Sequence, residues 1–106
     1  MEQLNQVTLR GFVGSVRVNG IGDTEIARFS VGTEYAYGNN GGDFVIETTW
    51  TNVVAFKGKG MPDFSAIVKG ASVEVSGRLR NNRFIDSNGA ERTVTEVMAN
   101  RIAILK

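Results

Sequence analysis

The segment of residues 48–59 combines aromatic rings with lysines in a pattern that predicts a β-strand. It contains Trp50, the only tryptophan in the sequence. Because successive side chains of a strand point to opposite faces, Trp50 and Phe56 share one face and mostly small side chains occupy the other. This arrangement favours a narrow core behind the strand and an aromatic surface in front of it. Such a surface, followed by Lys57 and Lys59, is typical of one that holds a flat ligand.

Two further rings are candidates for the same chemistry. Tyr37 lies at the mouth of one predicted hairpin, and Phe84 lies in the tip of another. Rings that stack on exposed bases contribute about 1–3 kcal/mol per base, but most aromatic side chains fill the core instead. We predict surface stacking for Trp50 and Phe56, whereas both interpretations stay open for Phe84. The phenylalanines that we assign to the core are Phe29, Phe44 and Phe64.

Basic residues cluster near these rings. Arg78, Arg80 and Arg83 occupy six positions that contain no acidic residue. Arginines next to an aromatic residue suit phosphate contacts beside stacked bases, although a solvated strand face would show single charges of the same kind. Both interpretations stay open for this group. The lysines that could extend it are Lys57, Lys59 and Lys69.

The composition excludes several kinds of chemistry. The 106 residues include no cysteine and no histidine, which excludes disulfides, thiolate ligands and the commonest general base. The formal net charge is only +1, so nucleic acid would have to be attracted by local basic regions. The carboxylates are scattered, and the glycine-rich loops lack the G-x-x-x-x-G-K-[ST] pattern. We expect no enzymatic activity, no cofactor and no metal site.

Length and hydropathy predict one domain over residues 1–106. The longest apolar runs contain four residues, which is too short for a membrane span, and the first ten residues lack a signal-peptide core. These features predict a cytoplasmic protein.

Five strands are predicted to position the candidate residues, since valine, isoleucine, threonine and glycine are abundant. The strands are expected at residues 3–18, 25–37, 44–56, 71–81 and 92–105. Gly11 and Gly14 predict a bulge or bend in the first strand. Residues 81–91 are expected to form a polar hairpin tip around the two-residue turn Asn88-Gly89.

One short helix is predicted between the third and fourth strands. Pro62 suits its first position and Gly70 its C-terminal cap. The side chains that form its apolar stripe are Phe64, Ile67 and Val68. Its expected length is about two turns.

Three strands, a short helix and two strands match the partly open, five-stranded Greek-key barrel called the OB-fold. The predicted fold class is therefore all-β with one short helix. An SH3-like barrel normally lacks a helix at that point, and a β-sandwich would need about seven strands.

With these features assembled, the sequence resembles the bacterial single-stranded DNA-binding protein (SSB) family over nearly its whole length. The strongest parts of the match are TWTNVVAF at residues 49–56, KGASV at 69–73, GRLR at 77–80 and DSNGAERTVTE at 86–96. The resemblance implies an OB-fold that assembles as a homotetramer, or as a dimer, with single-stranded DNA wrapped around the outside.

The resemblance also assigns roles to single residues. Trp50, Phe56 and Phe84 match the main base-stacking positions of the family, and Tyr37 falls where a further aromatic residue is found. The positions that match basic contacts to the DNA backbone are Lys69, Arg80 and Arg83. Asn52 and its neighbour Thr51 fall where relatives are often more basic, which implies weaker or more salt-sensitive binding.

Relatives usually continue into a flexible linker and an acidic tip that recruits replication and repair proteins. This sequence ends at Lys106, directly after the fifth predicted strand, so we expect no recruitment through such a tip. Our first hypothesis is a nucleoid-associated protein that coats single-stranded DNA without sequence preference in replication, recombination and repair. Two alternatives are an OB-fold module that binds another protein through its aromatic face and an RNA-binding OB-fold protein.

Overall fold

Five long strands and one 3₁₀ turn form the framework of the computed structural model, which describes residues 2–105. The strands are β1 (Val7–Ile21), β2 (Thr24–Gly38), β3 (Phe44–Phe56), β4 (Ser72–Ile85) and β5 (Glu91–Ile104). The turn (Phe64–Ala66) lies between β3 and β4. Met1 and Lys106, the ends of the predicted domain, lie outside the described residues. Among residues 2–105, no helix is long and apolar enough to cross a membrane.

The strands close into a barrel in the order β1-β2-β3-β5-β4. All neighbouring pairs are antiparallel except β3 and β5, which run parallel where Asn52 pairs with Glu96 and Val54 with Met98. The sheet is closed, whereas the sequence predicted a partly open barrel. The predicted OB-fold, with five strands and a short helical element before the fourth, is confirmed.

The core lies inside the barrel and is built from alternate residues of the strands. The inward side chains of β3 are small, with Val53 at 1% and Ala55 at 0% exposure, as the strand pattern predicted. Phe64 and Ile67 fill the space next to them, and each buried side chain of this size contributes about 1.5–3 kcal/mol. Trp50 and Phe56 have the opposite parity to these inward side chains and are exposed. The rings of β3 therefore lie on the outer surface.

The predicted two-turn helix is wrong in length. Asp63 caps a single 3₁₀ turn by accepting a hydrogen bond from the Ser65 amide at 3.0 Å, but Ile67 already has an extended backbone. Isolated short helices are marginal, because few hydrogen bonds offset the cost of nucleation. Val68 consequently points away from the core and is exposed, although Ile67 is buried as expected. Gly70 follows with a φ of +90°, which favours glycine.

The hairpin between β4 and β5 is longer and more regular than predicted. Strand pairing continues to Ile85 and Glu91, so Phe84 belongs to a strand and the turn occupies only residues 86–90. Asp86 orders this turn by accepting hydrogen bonds from the amides of Asn88 and Ala90 at 2.9 and 3.0 Å. The predicted polar loop over residues 81–91 is therefore mostly β-ribbon.

Candidate nucleic-acid interface

The indole of Trp50 lies on the outside of the barrel against two glycines. Gly32 is the register partner of Trp50 on β2. Gly14 lies on β1 where the register shifts between Val13 and Val16, which confirms the predicted bulge. A Cβ atom on Gly14 would come within 2.5 Å of Cζ3 of the indole, and one on Gly32 within 2.8 Å. Only glycine at both positions allows the ring to approach the backbone this closely.

The other side of the indole is open. Phe12 and the indole form a T-shaped contact, with ring centroids 5.4 Å apart and planes at 86°. The Trp50 side chain nevertheless remains 53% exposed. The ring is thus fixed from behind and available in front, which is the arrangement that a base-stacking platform requires. The predicted outward orientation of Trp50 is confirmed.

A groove runs beside Trp50 along the bulge of β1. Its lining consists of Gly14, Ser15, Val16, Ser30, Trp50 and Lys69. Lys69 has no acidic partner within 4.0 Å among residues 2–105. The structure therefore brings one predicted cation next to the predicted central ring.

Phe56 continues the same outer face of β3. It is 43% exposed, which confirms its predicted orientation. It lies six positions along the strand from Trp50, a distance of about 20 Å at the usual rise per residue. Asn52 and Val54 point outward between the two rings, and Val54 is buried there although it faces away from the barrel interior. The two rings therefore border a shared surface and do not form one stack.

Phe84 is also accessible, which excludes a position in the core. It is 44% exposed and lies opposite Arg92 in the β4–β5 ribbon. Strand alternation places it on the same face as Arg78 and Arg80. These three residues of β4 thus form a second row on the outer surface of the barrel, next to β5.

Tyr37 does not share the face of Trp50. The β2–β3 register pairs Tyr37 with Val45 and Gly32 with Trp50, so the tyrosine lies on the face that continues the barrel interior. Its neighbour there is Tyr35, with ring centroids 6.0 Å apart. Tyr37 is exposed, but the structure does not bring it into line with the other predicted rings.

Two apolar residues near the tip of the β2–β3 hairpin occupy that line instead. Phe44 is 82% exposed, so its predicted core position is wrong, and Ile46 is exposed as well. Both have the same parity in β3 as Trp50 and therefore share its face. Their spacing from Trp50 in the sequence already predicts this shared face. They were missed because the barrel ends before this part of the hairpin, so neither face is covered.

Several of the predicted cations already have acidic partners. Arg80 donates from Nε to Oε2 of Glu96 at 2.8 Å, and Glu96 is only 4% exposed. Arg83 lies 3.9 Å from Glu91 and, by alternation, on the opposite face of the ribbon from Phe84. Lys57 lies 3.6 Å from Glu25. The pair of Arg80 with Glu96 thus stabilises the barrel. The ion pairs of Lys57 and Arg83 are longer and exposed, so these two cations can leave their carboxylates and bind phosphates.

Other cations are free to bind an anion. Within residues 2–105 the following exposed side chains near the outer face have no acidic partner within 4.0 Å: Arg17, Arg28, Lys59, Lys69 and Arg78. Arg17 and Arg28 are register partners across β1 and β2. Sequence reasoning missed this pair because the two arginines are eleven positions apart and only the hairpin brings them together.

Two carboxylates have lowered pKa values, and both order turns. The Arg92 guanidinium, which donates to Asp86 at 2.7 Å, lowers the pKa of Asp86 together with the amides of Ala90 and Asn88. The amide and hydroxyl of Ser65 lower the pKa of Asp63. Both groups are ionised at neutral pH, so their role is structural.

The closed barrel and its exposed aromatic side chains define an OB-fold protein with an open outer face. A solved structure described as a Plasmodium falciparum SSB complex with ssDNA matches this fold with a TM-score of 0.81. The match covers 100% of this chain and 98% of that chain at 22% identity. At this identity the likeness establishes the fold alone.

The amino-acid sequence shows the family of the chain as well as its fold. A model of the single-strand binding protein family matches residues 4–105, so the chain belongs to this family. A protein named single-stranded DNA-binding protein from Neisseria meningitidis is 29% identical over 96% of the chain, which spans 60% of the length of that relative. A mitochondrial protein of the same name from Drosophila melanogaster is 28% identical over 97% of this chain and 72% of its own length.

Proposed function

We propose that the protein binds single-stranded DNA of any sequence on the outer face of β3 and the neighbouring strands. The observation that carries this proposal is the half-exposed indole of Trp50, packed closely against Gly14 and Gly32. A ring fixed in this way loses little conformational entropy when a base stacks on it. Family membership and the names of the relatives support the same ligand.

In the proposed mechanism, Trp50, Phe56 and Phe84 stack bases, because every base has a π-face. Tyr37 contributes a further contact from the β2–β3 hairpin. Arg78, Lys59 and Lys69 bind phosphates, and the looser pairs of Lys57 and Arg83 open to do the same. Arg80 contributes to the local positive potential while it remains paired with Glu96. Each phosphate neutralised lowers the log–log salt slope by about 0.7.

The role that follows is non-catalytic. Residues 1–106 act as one OB-fold domain that protects unwound DNA during replication, recombination and repair, in the cytoplasm and associated with the nucleoid. The family resemblance supports assembly as a homotetramer, with a dimer as the smaller option. Light scattering of the protein alone tests this part: we expect four times the 11.5 kDa of one chain, and a monomer would contradict the assembly.

Fluorescence anisotropy with end-labelled oligonucleotides tests the ligand. We expect tight binding of a thymidine oligonucleotide at low salt, much weaker binding of a duplex of equal length, and loss of binding as salt rises. Equal affinity for duplex and single strand would contradict the proposal. A stronger affinity for the matched uridine ribonucleotide would instead favour the RNA-binding alternative.

A further inference from the structure

A cavity of about 300 Å³ opens on the outer face between Trp50 and Phe56. Its floor is formed by Asn52, Val54 and Glu96 on β3 and β5. The bulged part of β1 and the facing part of β2 form its walls, through Ser15, Val16, Arg17, Arg28 and Phe29. This volume is at the lower end of the range for ligand pockets, which is about 300–1,000 Å³. It suits one planar base better than a longer piece of the strand.

The floor carries a buried carboxylate that is only partly paired. Glu96 is the one buried charged residue among residues 2–105. Both contacts from Arg80, 2.8 Å from Nε and 2.7 Å from the terminal nitrogen, go to Oε2. No hydrogen bond to Oε1 is found among residues 2–105. Every side-chain oxygen or nitrogen atom that is sealed from solvent in this part of the chain has a hydrogen-bond partner. Oε1 is therefore not completely sealed from the surface, and Glu96 is one of the residues that line the cavity.

A carboxylate at this point discriminates between the chemical groups that can enter the cavity. It repels phosphate, although Arg17 and Arg28 at the walls attract the backbone at the rim. It accepts a hydrogen bond from an exocyclic amine, as acidic side chains do from N4 of cytosine. Thymine and uracil place a carbonyl oxygen at the equivalent position, which the carboxylate disfavours. The amide of Asn52 can donate to or accept from the rest of the base edge.

We propose that this cavity is a base subsite in which Oε1 of Glu96 accepts a hydrogen bond from the exocyclic amine of an inserted base. Bases with such an amine then bind more tightly at this position than bases with a carbonyl there. The inference rests on the proposed function, since it places the subsite on the single-stranded DNA path between Trp50 and Phe56. It adds a local base preference to binding that is otherwise independent of sequence.

The wild-type protein provides a test that needs no substitution. Affinity is measured for a deoxycytidine oligonucleotide and for the same oligonucleotide built from 2-pyrimidinone, which lacks only the exocyclic amine. We expect the loss of the amine to weaken binding about tenfold or more, as for one hydrogen bond to a charged acceptor. Equal affinities would overturn the proposal. Failure to bind either of these or a thymidine oligonucleotide would contradict the proposed function instead.

The variant Glu96→Gln sharpens the test. Arg80 requires an acceptor, so the amide oxygen turns to Arg80 and the NH₂ group faces the cavity. The preference should then move from the amine of cytosine towards the carbonyl of thymine, seen as a changed ratio of the two affinities. Glu74→Gln is the matched control, because Glu74 also pairs with an arginine, Arg10, at 2.7 Å but lies away from the cavity. An unchanged ratio in folded Glu96→Gln, or an equal change in the control, would overturn the proposal.

Discussion

Gly32 lies directly opposite Trp50 in the β2–β3 ladder, and the absent side chain of the glycine is the space that the indole occupies. The ring reaches over this position to Gly14 on β1, so one tryptophan bridges three strands on the outside of the barrel. The position of the ring therefore depends on the absence of a side chain at one position of β1 and one position of β2. Alanine substitutions at these glycines test that relationship.

The variant Gly14→Ala should displace the indole without blocking the rest of the face. Its Cβ would lie 2.5 Å from Cζ3 of Trp50, closer than real contacts allow. We expect a shift of the Trp50 emission maximum and about tenfold weaker binding of a thymidine oligonucleotide, near the lower end of the stacking range. Gly58→Ala is the control, because no atom lies within 4 Å of its added Cβ. The same emission and affinity in Gly14→Ala and wild type would show that the glycine does not position the ring.

Phe44 and Tyr37 lie on the same hairpin but on opposite faces. Because Phe44 shares the face of Trp50, Phe44→Ala should weaken single-stranded DNA binding by about 1 kcal/mol, and more than Tyr37→Ala does. Both side chains are exposed, so neither substitution should lower the melting temperature much. Anisotropy titrations of both variants make the comparison. A larger loss for Tyr37→Ala would mean that the strand binds across the inner face of the hairpin.

Arg78 and Arg80 are two residues apart but have different surroundings. Arg78→Ala should leave stability unchanged and reduce the magnitude of the log–log salt slope by about 0.7, the value for one phosphate contact. Arg80→Ala should lower the free energy of unfolding by about 2 kcal/mol, because it leaves the buried Glu96 carboxylate without its cation. Denaturant unfolding and salt titrations separate the two effects. A normal stability for Arg80→Ala would contradict the structural role assigned to the pair.

The Asp86 turn should be sensitive to acid. Its pKa is lowered in the folded protein, chiefly by Arg92, so its stabilising contribution is complete above the unfolded value of about 3.9. That contribution is lost as the pH falls through the lower folded value. Amide chemical shifts of Asn88 and Ala90 should follow this titration, and Asp86→Asn should abolish it. A midpoint above about 4 would contradict the lowered pKa.

Local alternation predicted much of this fold correctly. The strand at residues 44–56 has the predicted bounds, and its inner residues Val53 and Ala55 are buried as expected. Alternation failed for Phe44, because parity gives the face of a strand but not the point at which the barrel stops covering it. The length of the helix was overestimated for a related reason. Pro62 and Gly70 indicated its two ends, but they do not determine how much of the segment between them is helical.

The candidate site was predicted only where its residues are close in sequence. Trp50 and Phe56 belong to one strand, so their shared face was visible from spacing alone. Gly14 and Gly32 come from other strands, and their contact with Trp50 depends on a bulge register that no local pattern encodes. The pairing of Arg80 with Glu96 likewise depends on the β4–β5 register. Long-range pairing therefore accounts for most of what the sequence did not show.

Stacking of Trp50 on the bases of single-stranded DNA can be tested directly by its fluorescence, because the chain has no other tryptophan. Titration with a thymidine oligonucleotide at low salt should strongly quench the emission, and added salt should restore it along the curve for dissociation. The Phe56→Ala variant should show the same quenching at saturation with a weaker affinity. Saturated binding, followed independently by anisotropy, with unchanged Trp50 emission would contradict stacking of Trp50 on the bases.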